Sequence, residues 1–408
     1  MAIAPRKRAN TSTLPIEVQA SAKQRLGMAP AAFLRDYWQK RPLLIRGAFA
    51  DRACPITPED LAGLACEEGA LSRLVLHDRR RDHYALETGP FPEARFASLS
   101  ERDWTLLVQD VDKWDADVAA LKQHYGFLPR WRIDDIMISY AVPGGSVGPH
   151  VDQYDVFLMQ GLGERRWQID VDPAAPKTFR TGAQLRLLQQ FNPSHDWVLG
   201  PGDVLYLPPG VPHHGVAETP CLTLSLGMRA PSVNELVTDL ADELGSQLSE
   251  ELRYVDPDLA PAADVAEIDA AALARVRDAL APLLAMDDEA LGLWFGRFIT
   301  AYRNAGTPQP GPRLPSRTKL EDTLAAGGQL GWHPFSRSAW ARQGRGALLF
   351  VHGEVHPCSL AGAKRLARGD ALTGSDWAAL KPQDRDSACA LVQAGHLILQ
   401  PARKSRAR

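Results

Sequence analysis

The 408-residue chain is 45% hydrophobic and 23% charged with a formal net charge of −3; this excludes a disordered or fibrous chain and predicts a folded protein of two or three domains. The charge is uneven, because residues 306–408 hold 15 Lys and Arg against 7 Asp and Glu, a net of +8, leaving −11 for the remainder. A solvated basic face with a loose tail at 402–408 ranks ahead of a nucleic-acid- or ribosome-facing surface as its explanation.

Along the chain, residues 1–20 read as a loose lead-in, basic but without the continuous apolar core of a secretory signal. Residues 29–125 carry helical patterns broken by Pro and Gly, with a helix at Pro30–Trp38 and a short strand at Arg41–Gly47. From about 130 the character changes. Arg132–Val142, Val151–Gln160, Glu164–Val171 and Asp203–Leu207 are short β-type runs, and two more come at Leu222–Met228. Strands in unbroken succession predict an antiparallel sandwich or barrel, not βαβ units.

Ser232 with Glu235 forms a capping-box signature, followed by Val233, Leu236, Val237, Leu240, Leu244 and Leu248 at helical spacing. Further helices are expected at Ala270–Ala285 and Glu289–Tyr302. A Pro/Gly-rich linker, Thr307–Pro315, precedes a small α/β region with a hairpin around His352-Gly353, helices at Leu360–Arg368 and Ser387–Ala394, and a last strand at His396–Gln400. The expected domains are thus 1–20, 21–231, 232–305 and 306–408. The five cysteines, Cys54, Cys66, Cys221, Cys358 and Cys389, are far apart and form no CxxC. A disulfide framework or zinc ribbon is excluded, and a reducing, cytoplasmic setting fits. No apolar run is long enough to span a bilayer.

The chemistry concentrates in Gly148-Pro149-His150-Val151-Asp152-Gln153-Tyr154-Asp155. On a strand, His150 and Asp152 would point to one side, as two legs of a facial metal triad. The third leg is found in Gly202-Asp203-Val204-Leu205-Tyr206-Leu207-Pro208-Pro209-Gly210-Val211-Pro212-His213, a strand entering a Pro/Gly turn and then histidine. The turn favours His213 over His214, which would be a supporting or exposed residue. Two His and one carboxylate with open positions suit non-haem iron(II), whereas a structural zinc site fills all four positions with protein ligands. A 2-oxo acid can chelate through two open positions and dioxygen takes the third. Two neighbouring cations, Arg165 and Arg166, could grip the distal carboxylate of 2-oxoglutarate. They face opposite ways on a strand, and the residues alone leave the choice between them open.

Residues 130–231 resemble the JmjC-domain oxygenases, and within them the bacterial ribosomal oxygenases. The similarity rests on Trp131-Arg132-Ile133-Asp134-Asp135, Pro143-Gly144-Gly145, Gly148–Phe157, Arg165-Arg166-Trp167, Pro208–His213 and Ser225–Pro231. The resemblance implies an α+β protein with a double-stranded β-helix (jelly-roll, cupin-like) core, a helical dimerisation module and a winged-helix-like C-terminal domain. It implies iron(II) on His150, Asp152 and His213, with 2-oxoglutarate and O2 as co-substrates. Arg165 matches the residue that binds 2-oxoglutarate, and Asp135, Tyr154 and Ser225 match positions that hold the substrate. Relatives acting on histidine carry lysine where this chain has Arg165, so the resemblance points to hydroxylation of an arginine of large-subunit ribosomal protein L-sixteen by a cytoplasmic homodimer. His214 departs from the usual family residue. A JmjC demethylase, a non-catalytic cupin-like metal sensor and a nucleic-acid-binding protein are the rival readings.

Overall fold

The computed structural model describes residues 14–21, 23–249, 251–259, 268–281 and 286–402. The lead-in up to residue 13, the tail from 403 and the last turn expected at 282–285 lie outside them. The chain divides into two compact units, Met1–Ala230 and Pro231–Arg408.

The first unit is built on twelve strands: β1 Glu17–Gln19, β2 Leu43–Arg46, β3 Ser72–Asp78, β4 His83–Thr88, β5 Trp104–Val108, β6 Ile133–Ala141, β7 Val156–Leu162, β8 Arg165–Ile169, β9 His195–Leu199, β10 Val204–Leu207, β11 His213–Ala217 and β12 Cys221–Met228. Nine form one sheet in the order β1-β2-β10-β7-β12-β6-β5-β3-β4, and β11-β8-β9 form a second. All pairings are antiparallel except β1 with β2. Leu44, Val156, Leu158, Leu205 and Leu207 from the large sheet and Trp167, Ile169 and Leu199 from the small one pack into a shared core. Against the large sheet lies an aromatic core, in which Phe33 meets Tyr206 edge-on at 4.9 Å and Tyr125 meets Phe157 at 4.6 Å.

Four expectations are corrected. The lead-in expected over 1–20 is not loose in its described part, where Glu17–Gln19 forms β1 and pairs with β2. The region 29–125 is not mainly helical, since β3, β4 and β5 extend the large sheet from it. Trp104–Val108 is buried along its whole length, with only Thr105 polar, and such a run has no period that separates strand from helix. Residues 222–228 form one strand, not two: β12 is buried along its whole length between β6 and β7. The segment Val151–Asp155 is outside any strand; β7 begins only at Val156. Gly148 at φ +78° and Pro149 turn the chain there, and His150 makes only a single bridge, to His213.

In the second unit the capping box forms as the pattern predicts: Ser232 accepts from the Glu235 N–H and starts the helix Val233–Gln247. Helices Ala270–Ala279 and Asp288–Ala301 follow. Beyond them a three-stranded meander, Ser338–Gln343, Gly346–Val351 and Glu354–Cys358, turns at His352 and Gly353, both at positive φ; this is the two-residue hairpin turn that matches strand twist. Helices Arg317–Ala325, Leu360–Ala367, Gly374–Ala379 and Pro382–Gln393 close a core of Leu320, Leu349, Leu366, Trp377 and Leu391. Gly296 lies so close to the Phe350 ring that a Cβ there would sit 2.3 Å from it, which seats the helix Asp288–Ala301 on the meander. Among the described residues no helix is long and apolar enough to cross a membrane.

Candidate active site

His150 follows the Gly148–Pro149 turn, and its backbone N–H and C=O exchange hydrogen bonds with those of His213, both at 3.0 Å. His213 opens β11, which pairs with β8. The Asp152 carbonyl accepts from the Gly210 N–H at 2.8 Å. The two distant segments are thereby laced together through their backbones. His150, Asp152 and His213 each turn one ligand atom inward, and the three atoms lie within 4.8 Å of one another. No other such group of three occurs among the described residues. The Asp152 Oδ2 is 3.6 Å from His213 Nε2 and 4.0 Å from His150 Nε2. The convergence comes from a turn and a bridge rather than from strand alternation.

The donor set fits a transition metal. His150 Nδ1 lies 2.9 Å from the Gly148 carbonyl, and His213 Nδ1 lies 2.9 Å from that of Val211. A carbonyl only accepts, so each Nδ1 carries the proton and each Nε2 presents a lone pair. Burial, reinforced by the neighbouring His150, pulls His213 down to about 4 against the opposing pull of Asp152; the imidazole is therefore neutral near pH 7, as a ligand must be. His214 points away: its Nε2 is 2.9 Å from the Ser146 hydroxyl.

Alternation along β8 places Arg165 and Trp167 inward and Arg166 outward. Arg166 is half exposed and paired with Asp196 and Glu218. Arg165 is 3% exposed. One Nη donates to Ser139 Oγ at 3.0 Å and Thr223 Oγ1 at 3.4 Å, while its buried Nε has no partner among the described residues. Burial pulls the guanidinium below its ordinary value. Trp167 neighbours both this cation and the triad, with its ring 5.1 Å from the Arg165 guanidinium carbon and 6.0 Å from the His213 ring. The backbone of Gly215 on β11 comes so close that a Cβ would stand 2.7 Å from Trp167 and 2.9 Å from Arg165 Nε.

On β12, Thr223, Ser225 and Gly227 share one face. Thr223 is at the Arg165 end, hydrogen-bonded to Gln160 at 3.0 Å. At the other end a Cβ on Gly227 would lie 3.4 Å from Asp135 and 3.9 Å from Tyr154. Ser225 is between them and buried. Asp135 is delivered by a β-bulge: Ile136 pairs with Leu226 and Ile133 with Met228, so Asp134 and Asp135 together oppose Gly227. Burial first, then Asp110 and Asp134, push Asp135 up to about 7. Sequence reasoning missed Ser139, Thr223 and Gln160. Their signal was present, as polar residues in otherwise apolar central strands.

Residues 120–236 match the model of the JmjC domain, 191–284 that of an AraC-like ligand binding domain, and 283–398 that of a ROXA-like winged helix. The chain is 40% identical over 303 residues, 72% of its length and 78% of the relative's, to the ribosomal protein uL16 3-hydroxylase of Escherichia coli. It belongs to the JmjC ribosomal oxygenases. A probable ribosomal oxygenase of Haemophilus influenzae is 40% identical over 57% of this chain and 55% of its own. The fold superposes on the E. coli ribosomal oxygenase YcfD with a TM-score of 0.78 and 36% identity, covering 92% of this chain and 98% of that one. YcfD in complex with cobalt and 2-oxoglutarate gives a TM-score of 0.77 and 35% identity over 92% and 99%. The ribosomal oxygenase architecture thus extends through the C-terminal unit.

Proposed function

We propose that this protein is an iron(II)- and 2-oxoglutarate-dependent hydroxylase of an arginine side chain in large-subunit ribosomal protein L-sixteen. The observation that carries the reading is a buried arginine with an unspent donor, packed against the same tryptophan as His213 of a converged His-Asp-His group. His150, Asp152 and His213 would hold the iron, and Arg165 the distal carboxylate of 2-oxoglutarate. The bound iron supplies dioxygen activation coupled to decarboxylation of the 2-oxo acid to succinate and carbon dioxide, with one oxygen atom going to a substrate C–H bond.

The chain's own part is positioning. The Gly148 and Val211 carbonyls fix both imidazoles by their Nδ1–H groups. Arg165, held by Ser139 and Thr223 as acceptors, presents its buried guanidinium donors to an incoming carboxylate, which gains both charge and geometric complementarity. Asp135 pairs with the substrate guanidinium, Tyr154 packs along its stem and Ser225 lines the floor between them. A carboxylate partner suits a cation, and Gly227 places no side chain between Asp135 and Tyr154. Support for the substrate comes from the E. coli relative named as a uL16 3-hydroxylase.

The test incubates the iron-loaded protein with 2-oxoglutarate and isolated ribosomal proteins in air. The expected product is L-sixteen heavier by one oxygen atom on an arginine, with matching succinate. Formaldehyde from a methylated peptide, with no oxygenated product on the unmethylated one, would establish a demethylase instead.

A further inference from the structure

Asp135 is held by a device that its own strand does not supply. Asp110 adopts the left-handed conformation, φ +56° and ψ +26°, which a non-glycine residue occupies at a cost unless something holds it there. In that conformation its backbone N–H points at Asp135 and donates to Oδ2 at 3.0 Å. Its carboxylate lies 3.4 Å from Lys113 Nζ. Lys113 in turn donates to Asp112 at 2.6 Å and to the Asp134 carbonyl at 3.3 Å. Asp112, with no exposed side-chain surface, also takes Lys122 at 2.6 Å and the Ile136 N–H at 2.8 Å. The turn 110–113 therefore staples the bulged part of β6 on both sides of Asp135.

We propose that Asp110 is a positioning residue for substrate recognition: its N–H orients the Asp135 carboxylate, and its negative charge makes that carboxylate selective for a cationic side chain. This rests on the reading of Asp135 as the partner of the substrate cation. The electrostatics follow from what faces Asp135. Asp110, Asp112 and Asp134 are negative neighbours, and the Tyr154 ring stands across Gly227. The nearby cations are shared among these neighbours: Lys113 between Asp112 and Asp110, Lys122 on Asp112, and Arg229 on Asp134 at 3.1 Å, while Arg73 acts on Tyr154. An arriving guanidinium would give Asp135 the counter-charge that these cations give its neighbours, whereas a neutral side chain of the same shape would not. The N–H of Asp110 favours the ionised form of Asp135 and its charge opposes it, so one residue sets both the direction and the pH range of binding.

The experiment measures binding, not turnover. A fluorescein-labelled peptide from L-sixteen with one central arginine, and the same peptide with citrulline there, are titrated by fluorescence anisotropy from about pH 6 to about pH 9. The proteins are the wild type, Asp110→Asn, Asp110→Gly and Asp135→Asn. Asn and Gly both tolerate the left-handed conformation and keep the N–H. The wild type should tighten on the arginine peptide as pH rises through about 7. Both Asp110 variants should move that midpoint down by roughly one unit and weaken the high-pH plateau several-fold, with a native circular-dichroism spectrum and a cooperative melt. An unmoved midpoint in either variant overturns the role of Asp110. Asp135→Asn should lose roughly tenfold of the preference for arginine over citrulline. If Asp135→Asn keeps that preference, the failure lies in the reading of Asp135 instead.

Discussion

A buried cation whose donors are only partly used costs free energy until a ligand completes it, and Arg165 is in that state, with Ser139 and Thr223 on one Nη and no partner for Nε. Under the proposed role, Arg165→Ala should raise the 2-oxoglutarate concentration for half-maximal turnover by roughly a hundredfold and Arg165→Lys by roughly tenfold, the lysine keeping charge without the fork. Succinate formation against 2-oxoglutarate concentration reads both; an unchanged requirement in Arg165→Ala would remove the assignment. Asp135 carries a second residue-scale consequence. Its carboxyl is pushed up to about 7 by burial and by Asp110 and Asp134. The folded state thus favours the protonated form more than the unfolded chain does. The resulting stability is complete below the ordinary carboxylate range and is lost as pH rises through about 7. Calorimetry of the metal-free protein should show melting temperature falling over that window from this group, and Asp135→Asn should flatten the fall.

At the scale of elements, the approach of β11 to β8 decides whether the inward side chains of β8 keep their places. Gly215→Ala puts a methyl 2.7 Å from Trp167 and 2.9 Å from Arg165 Nε. Both neighbours are buried, so neither can swing into solvent. The substitution should lower stability by about 1–3 kcal/mol and raise the 2-oxoglutarate requirement several-fold, by denaturant melts and succinate kinetics; wild-type values for both would show that β8 yields without cost. This closeness could not be read from residue order, because it belongs to a pairing between segments nearly fifty positions apart. The legible parts were those in which chemistry and local geometry coincide. Pro208, Pro209, Gly210 and Pro212 announced the turn before His213, and strand alternation set Arg165 and Arg166 on opposite faces without saying which one is buried; Arg166 proves to be the ion-paired, outward one. His150 and Asp152 were found through the wrong geometry: their apolar neighbours suggested a strand, but Gly148 and Pro149 impose a turn. The bulge at Asp134–Asp135 and the left-handed Asp110 were hidden, since both depend on where β12 and the turn 110–113 meet β6.

For the whole molecule, the helices of the second unit raise the question of what covers them. Val233–Gln247 and Ala270–Ala279 contain no buried residue, although their apolar residues recur at the spacing that defines a core-facing stripe. Val233 is 76% exposed, Val237 60% and Ile268 77%, with Leu273, Val276 and Leu291 also open. An apolar surface of this extent is uncommon on a monomer and marks an association site. A second copy of the same chain is the simplest occupant, because a two-fold axis lets one apolar stripe cover its own equivalent. We therefore propose a homodimer formed through this region. Light scattering behind a sizing column should give twice the 44.7 kDa chain mass. The double substitution Val237→Asp, Leu273→Asp should give a monomer with the same helical signal by circular dichroism. Its melting temperature should be lower and independent of protein concentration, whereas that of the wild type should rise with concentration, since association stabilises only the folded chain. A wild-type protein that elutes as a monomer at all concentrations would show that these helices are covered by something other than a second copy.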